Sequence, residues 1–172
     1  MYMIGNGDSI DTGGSSLKPI LFPENVAKVG IIGGEFSFAY YINKHLTFNA
    51  SYSYNNSKIV EYEISDINPD LDLTGMYLVE VSPHLFYSGI YFKHKLFNLS
   101  LNCNYIDKQW YDEVNTIVID SYFLANFKIS KTIKDHYNIY LDIQNIFDNE
   151  FVDRKGRLSP GRYTTIGFKY II

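Results

Sequence analysis

The sequence predicts an all-β fold, an antiparallel up-and-down meander of about seven long strands that form part of a transmembrane β-barrel. Three observations lead to this prediction. Apolar and polar residues alternate with a period of two along most of the chain. Short and long connections between the alternating segments follow one another in strict order. The apolar faces lack charge over most of their length and end in tyrosine, phenylalanine or tryptophan.

The amino-acid composition limits the classes of protein and the kinds of site that are possible. The chain has 172 residues, enough for one domain, and 46% of them are hydrophobic, so this is not a disordered segment. A net charge of -4 gives no basic footprint, and we expect no nucleic-acid partner. Cys103 is the single cysteine, which excludes an internal disulfide and a zinc site of several thiolates. No apolar run approaches the roughly 18 residues of a membrane helix.

The alternation places the strands. It is clearest in LTFNASYSYN, LFNLSLNCNYI, DSYFLANFKIS and HYNIYLDIQN, where large apolar side chains share one face and Asn, Ser, Thr or Gln the other. Two further segments carry aromatics on both faces, and Gly33, Gly34 and Gly89 within them indicate bulges or close packing. We predict strands at about 27–42, 45–62, 77–93, 96–110, 117–130, 136–147 and 162–172.

The connections carry a second signal. Three are tight, near 42–45, 93–96 and 131–136, and three are longer and polar, at about 63–76, 111–116 and 148–161. Alternate connections of a meander lie at the same end of the sheet. One end therefore has short turns and the other long loops, as in outer-membrane barrels, whose short turns are periplasmic and whose long loops are extracellular.

Alternation alone is equally compatible with a soluble β-sandwich. The polar faces, however, carry Asn, Ser, Thr, Gln and Tyr more than Lys and Glu, which suits an enclosed lumen. A Lys or Arg that faces lipid at the bilayer midplane costs roughly 2–4 kcal/mol. Aromatic residues also gather where strands end: Tyr40, Tyr41, Tyr62, Tyr77, Tyr105, Trp110, Tyr111, Phe147 and Phe151. We therefore expect outer-membrane lipid against the apolar faces.

The segment IQNIFDNEF resembles the V-x-N-L-F-D-x-x-Y signature near the end of TonB-dependent outer-membrane receptors. Asn145, Ile146, Phe147 and Asp148 match this barrel signature, with Ile in place of Leu, and Phe151 takes the position of Tyr. Upstream, two more segments are similar to that family. One contains a Gly-Glu pair in its first strand, and the other a V-x-P-H segment that opens a later strand.

The last segment, SPGRYTTIGFKYII, resembles the same family. Pro160, Gly161 and Arg162 match the P-G-R that commonly precedes the last strand. The assembly signal of that strand, a Gly followed by alternating hydrophobic residues, is matched by Gly167, Tyr170 and Ile172. The family usually ends in Phe or Trp, and Ile172 departs from this pattern.

The resemblance covers about 26–172 and implies a 22-stranded barrel of which these strands are the C-terminal third. It implies that 1–26 is the remnant of an extracellular loop and that 27–172 holds the C-terminal strands, without the plug domain. Implied partners are the remaining strands and plug of the same receptor, the barrel-assembly machinery, and TonB only through the plug. The implied function is energised uptake of a scarce ligand, such as an iron–siderophore or cobalamin, in the outer membrane of a Gram-negative bacterium, with a periplasmic C-terminus.

No constellation indicates an enzyme, a catalytic residue, a resident metal or a cofactor. The histidines are scattered, and three of the four lie near short turns, where we expect them to be solvated: His45, His84, His94 and His136. Asp148, Glu150 and Asp153 offer carboxylates for calcium, although the spacing and glycine of a calcium loop are missing. An alternative function is that of a complete small eight-stranded barrel with a pore or structural role. It would need an eighth strand from 1–26, where the apolar segments are short.

Overall fold

A computed structural model describes residues 27–64, 69–134, 136–154 and 157–170. The segment 1–26, which we predict to be a loop remnant, and Ile172 lie outside these residues. In chain order the strands are β1 (Ala27–Tyr41), β2 (Leu46–Tyr62), β3 (His84–Lys93), β4 (Asn98–Ile106), β5 (Gln109–Trp110), β6 (Val118–Ile119), β7 (Tyr122–Ile133), β8 (Tyr137–Gln144), β9 (Val152–Arg154), β10 (Arg157–Leu158) and β11 (Tyr163–Tyr170). No helix among the described residues is long and apolar enough to cross a membrane.

Seven of these strands form one sheet in the order β1-β2-β3-β4-β7-β8-β11. Each neighbours the long strand that precedes it in the chain, and the pairings of β2 to β11 are antiparallel. This confirms the predicted all-β meander. The remaining four strands form two small pairs, β5 with β6 and β9 with β10, inside the long connections.

The register of the strands places the apolar residues of neighbouring strands next to each other on one face of the sheet. Directly paired residues form one apolar row: Phe48, Ile90, Leu101, Phe127 and Ile143. The neighbouring row lies on the opposite face and is polar: Thr47, Tyr91, Ser100, Lys128, Asp142 and Thr165. Because side chains alternate along a strand, one apolar face and one polar face follow for the whole sheet.

The apolar face is not a covered core. Ile166 is 78% exposed and Phe168 64% exposed, and Phe36 on the first strand is 64% exposed. Soluble monomers rarely expose apolar surface that is contiguous over several strands. Among the described hydrophobic residues only five are buried: Ala50, Ile59, Leu73, Ile119 and Ala125.

The chain divides into two compact units. One comprises Met1–Gly30 and Lys58–Met76, and within it the loop that precedes Tyr77 pairs with β2: Ile59 N donates to Met76 O at 2.9 Å, and Gly75 N donates to Ile59 O at 2.8 Å. The other comprises Ile31–Ser57 and Tyr77–Ile172 and contains most of the sheet.

Several predicted boundaries were wrong. The strand expected at 77–93 begins only at His84. The preceding residues instead follow the loop strand β5, with a parallel bridge between Val79 and Trp110 and a hydrogen bond from Glu80 N to Trp110 O at 2.9 Å. The strand expected at 136–147 ends at Gln144, because Asn145 has a left-handed φ of 51° that no regular strand contains.

The strands expected at 96–110 and 117–130 are shorter at the loop end than predicted, because β4 ends at Ile106 and β7 begins at Tyr122. The pairing of β4 with β3 ends at Asp107, whose N donates to His84 O at 3.0 Å. The Asp107 carboxylate then accepts from Lys108 N at 2.8 Å, and a break separates β4 from β5. A second break separates β6 from β7. Short polar residues that bond to their own backbone compete with ladder bonds in this way.

Candidate functional site

The polar face of the sheet is the first part of the candidate site. It carries a chain of amides that joins β4, β7 and the turn after β8. Asn126 Nδ2 donates to Asn102 Oδ1 at 3.1 Å, and Asn126 Oδ1 accepts from Asn145 N at 2.9 Å. Asn102 stands directly opposite Gly89 on the next strand. Amides with both donor and acceptor groups hold one another in place while leaving further polar atoms for a ligand or a covering domain.

One ion pair lies in the middle of the polar face. Lys128 and Asp142 are direct partners between β7 and β8, with Nζ and Oδ2 at 3.5 Å. Lys128 Nζ is also 4.7 Å from the centre of the Tyr140 ring. The lysine side chain is 48% exposed, so the pair contributes at most about 1 kcal/mol to stability. It places a charge of each sign on the polar face and none on the apolar one.

Tyrosine rings lie over two glycines of this face. The Tyr87 and Tyr91 hydroxyls hydrogen-bond to each other across Gly89, and a Cβ on Gly89 would lie 2.6 Å from Tyr87 Oη. Gly167 pairs with Tyr140, and a Cβ there would lie 2.0 Å from Tyr140 Cζ. At both positions an added side chain would displace the tyrosine ring that lies there.

The barrel-signature residues form a turn around a buried asparagine. Asn145 is 5% exposed, and its Nδ2 donates to Asn149 O at 2.8 Å while its Oδ1 accepts from Asn149 N at 3.1 Å. Ile146 N donates to Ala125 O at 2.9 Å, which ties the turn to β7. Phe147 is 63% exposed, and its ring lies 6.2 Å from that of Phe123. The asparagine therefore organises the turn, and the phenylalanine presents its ring outward.

The structure brings the barrel signature and the P-G-R segment together. Asp148 Oδ1 accepts a hydrogen bond from Arg162 N at 2.6 Å, and Arg162 Nη1 donates to Ile146 O at 3.2 Å. A Cβ on Gly161 would lie 2.6 Å from Asp148 Oδ1. Pro160 is exposed. Two segments 14 residues apart thus close the last long loop at its base.

The last strand holds the two described residues of the expected assembly signal. Gly167 lies under Tyr140, as given above. Tyr170 lies on the apolar face, with its ring 5.4 Å from Tyr137 and 6.3 Å from His136. The third, Ile172, is outside the described residues.

The long loops are shaped by aspartates that bind their own backbone. Asp112 Oδ1 accepts from Ile117 N at 2.5 Å, and its Oδ2 accepts from Thr116 Oγ1 at 2.7 Å. Partial desolvation raises the pKa of Asp112, but the hydrogen bonds from Ile117 and Thr116 outweigh it and the pKa is lowered. The pKa of Asp72 is lowered likewise by hydrogen bonds from Thr74. Both carboxylates therefore stabilise the conformation of their own loops.

The possible calcium ligands do not assemble. Asp148 Oδ1 is occupied by Arg162 N, and among the described residues no group of three or more His, Cys, Asp or Glu side chains could hold a metal ion. The histidines are less scattered than expected. The rings of His45 and His94 lie 5.7 Å apart at the short turns, whereas His84 lies at the loop end, with its Nδ1 2.7 Å from Tyr52 Oη.

Sequence reasoning missed a cavity of about 600 Å³ in the long loops. It is lined by residues around β6, β9 and β10, among them Tyr111, Ile119, Glu150 and Arg157. Gln109 is buried nearby and donates from Nε2 to Asp153 O at 3.1 Å, which connects the two small strand pairs. Phe151, which lines the cavity, stacks on Tyr122 with ring centres 4.2 Å apart, and no pattern in the sequence indicates this pairing.

A family model described as TonB dependent receptor-like, beta-barrel, matches residues 3–146. No curated protein matches the sequence. Among solved structures, the siderophore receptor PiuA from Acinetobacter baumannii aligns with a TM-score of 0.74 and 17% identity, over 85% of this chain and 22% of PiuA. The ferric yersiniabactin uptake receptor FyuA from Yersinia pestis aligns with a TM-score of 0.71 and 14% identity, over 89% of this chain and 25% of FyuA.

The copper transporter OprC is similar as well, with a TM-score of 0.63 and 15% identity over 84% of this chain and 24% of OprC. At these identities the likeness concerns the fold. This chain spans about a quarter or less of the length of each of these three structures.

Proposed function

This chain belongs to the TonB-dependent receptor-like β-barrel family, and from that premise we propose that it forms the C-terminal strands of an outer-membrane receptor that imports a scarce ligand. The observation that carries the proposal is the sheet itself. An uncharged apolar row crosses it on one face, a polar row crosses it on the other, and the apolar face is exposed. A bilayer is the medium in which that exposed face is stable.

The proposed orientation follows from the connections. The short turns at 42–45, 94–97 and 134–136 face the periplasm, and the connections that hold β5, β6, β9 and β10 face the exterior. The last strand then runs toward the periplasm and leaves the C-terminus there. Its polar side, with the Lys128–Asp142 pair, faces the lumen.

The edges of the sheet indicate the partners. Within the described part of the chain, β1 and β11 each have one neighbour in the sheet. Unpaired backbone groups in hydrocarbon cost several kcal/mol each, so open edges do not occur in a membrane. We expect these edges to pair with the remaining strands of the same barrel, and the polar face to contact its plug. TonB acts on the receptor through that plug.

The proposed ligand is a scarce metal complex or cobalamin. Of the similar structures, one is named a siderophore receptor, one a ferric yersiniabactin uptake receptor and one a copper transporter. The amide-rich polar face offers hydrogen-bond donors and acceptors for such ligands. The turn built by Asn145 and Asp148 fixes the last loop, and the glycine and alternating hydrophobic residues of β11 serve recognition by the barrel-assembly machinery. No catalytic step is part of this proposal.

A complete eight-stranded barrel is less well supported. The similar structures are four or more times longer than the stretch this chain covers. In addition, the eighth strand would have to come from 1–26, which lies outside the described residues.

Uptake measurements test the proposal. We expect a strain that lacks this chain to lose accumulation of at least one ligand from a panel of ferric siderophores, cobalamin and copper. The lost uptake should be abolished in the parent strain by a protonophore and restored by the wild-type gene. Unchanged energy-dependent uptake of every ligand in the panel under iron or copper limitation would contradict it.

A further inference from the structure

Charges are sorted between the two ends of the sheet. Four lysines, the lysine rim, lie in the short turns or on the apolar face beside them: Lys44, Lys95, Lys131 and Lys134. Lys93 and Lys169 also lie at this end, but on the polar face of the sheet. Among the described residues of this end there is no carboxylate, and Asp135 lies outside them. The described acidic residues of the compact unit that contains these turns lie mid-sheet or in the long loops, such as Asp107, Asp112 and Asp153.

The rim lysines are exposed and unpaired with acids. All four are exposed to solvent, and none takes part in the ion pairs found between described residues, which join Lys28 to Glu61, Lys128 to Asp142 and Arg157 to Asp153. A row of like charges without counter-charges repels itself. An anionic partner would relieve this repulsion.

Aromatic rings of the apolar face lie immediately beside the rim. Phe92, His94 and Phe97 form one cluster, with ring centres 5.8 to 6.1 Å apart. Tyr137 and Tyr170 form another at 5.4 Å. These rings mark where an apolar surface meets a polar one.

One rim lysine belongs to the apolar face itself. Lys131 pairs with Ile139, in the same side-chain register as Ile129 and Leu141. A lysine at the boundary of an apolar face buries its methylene stem there and extends its ammonium group into the polar headgroup layer.

We infer that the lysine rim binds the anionic headgroups of phospholipids in the periplasmic leaflet. This rests on the proposed function, because it places the short turns at that leaflet. The rim supplies point charges, the neighbouring rings supply amphipathic contact, and the apolar face continues directly into the acyl layer. A lipid satisfies all three, whereas an acidic periplasmic protein would use the charges alone. Screening at physiological salt reaches about 8 Å, so only headgroups in close contact gain.

Two variants that lose the same number of charges test whether the lysine rim binds lipid. Each protein is extracted from outer membranes in mild detergent. The rim variant carries Lys44→Gln, Lys95→Gln and Lys134→Gln, one from each short turn. The control carries Lys108→Gln, Arg154→Gln and Arg157→Gln, which remove the same charge from the long loops. Phosphatidylglycerol and cardiolipin retained per protein are measured by mass spectrometry.

We expect the rim variant to retain at least tenfold less anionic lipid than the wild type, since each surface lysine contributes roughly fivefold to the affinity. The control variant should retain the wild-type amount. Equal retention in all three proteins overturns the inference but leaves the membrane assignment intact, and loss of a co-purified acidic protein instead of lipid also overturns it. Absence of the wild type from the outer membrane overturns both.

If the rim variant does not reach the membrane, a measurement on the wild-type protein alone tests the inference. Its enrichment of phosphatidylglycerol over phosphatidylcholine in mixed nanodiscs should fall on moving from low salt to roughly half-molar NaCl. Enrichment that is absent, or that salt leaves unchanged, refutes the rim.

Discussion

The carboxylate of Asp148 accepts a hydrogen bond from the backbone N–H of Arg162 at 2.6 Å. This contact joins the end of β8 to the start of β11 across the last long loop. Gly161 is needed beside it, since a side chain there would meet the same carboxylate oxygen. The barrel signature and the P-G-R segment thus meet at the base of one long loop.

Replacing Asp148 with alanine removes this acceptor and should weaken the turn by about 1–3 kcal/mol, the cost of a hydrogen bond to a charged group. The variant should lose its folded gel mobility at a lower temperature than the wild type in heat-shift electrophoresis. Asp148→Asn keeps an acceptor and should fall between the two. The control is Glu150→Ala, for which the described residues offer no hydrogen-bond partner; a matching loss in that variant would argue against a specific role of Asp148.

A single charge should distinguish the two faces. Leu101 and Asn102 are neighbours on β4 with opposite directions. Leu101→Lys places an ammonium group against lipid, at a cost of roughly 2–4 kcal/mol at the midplane, and should sharply reduce the folded protein in outer membranes. Asn102→Lys should leave most of it. Equal levels of both variants, quantified by immunoblot, would be inconsistent with a lipid-facing row.

A side chain at Gly167 should destabilise the folded protein. Gly167→Ala forces the Tyr140 ring to move and should cost about 1–3 kcal/mol, seen as a lower urea midpoint of the membrane-inserted protein. Gly34→Ala is the matched control, because a Cβ there meets nothing within 4 Å. Adding Tyr140→Ala to Gly167→Ala should remove most of the penalty, and additive penalties would show that the ring is not the obstacle.

The loop held by Asp112 should loosen in acid. Its pKa is lower in the folded loop than in the unfolded chain, so the stabilisation is complete above the unfolded value of about 3.9 and disappears as pH falls through the lower folded value. Hydrogen exchange at the amides of Thr116 and Ile117, corrected for intrinsic rates, should lose protection only below about pH 4. Asp112→Asn should abolish this pH dependence, and a transition near pH 6 in the wild type would implicate another group.

The long strands were predictable because a period of two, maintained over ten residues, leaves one choice of face. The row from Phe48 to Ile143 follows from it, and so does the end-to-end sorting of turns and loops. The loop strands were not predictable, since β5 and β9 consist of two or three residues and depend on contacts such as Gln109 with Asp153.

Only part of the candidate site could be predicted from the sequence. The Asn145 and Asp148 motif stands out in the sequence, yet its bond to Arg162 depends on the left-handed backbone at both positions. The amide chain from Asn102 through Asn126 to Asn145 joins two strands and the turn after a third, and no local sequence pattern predicts it.

Cysteine accessibility in intact cells tests the central claim most directly. In a Cys103→Ser background, Glu150→Cys places a thiol in a long loop and Lys95→Cys places one in a short turn. A membrane-impermeant maleimide should label the loop variant in intact cells, and the turn variant only after the outer membrane is opened. Labelling of both only after cell lysis, with the protein in the soluble fraction, or the reverse order of labelling, would contradict the proposed membrane-spanning receptor segment.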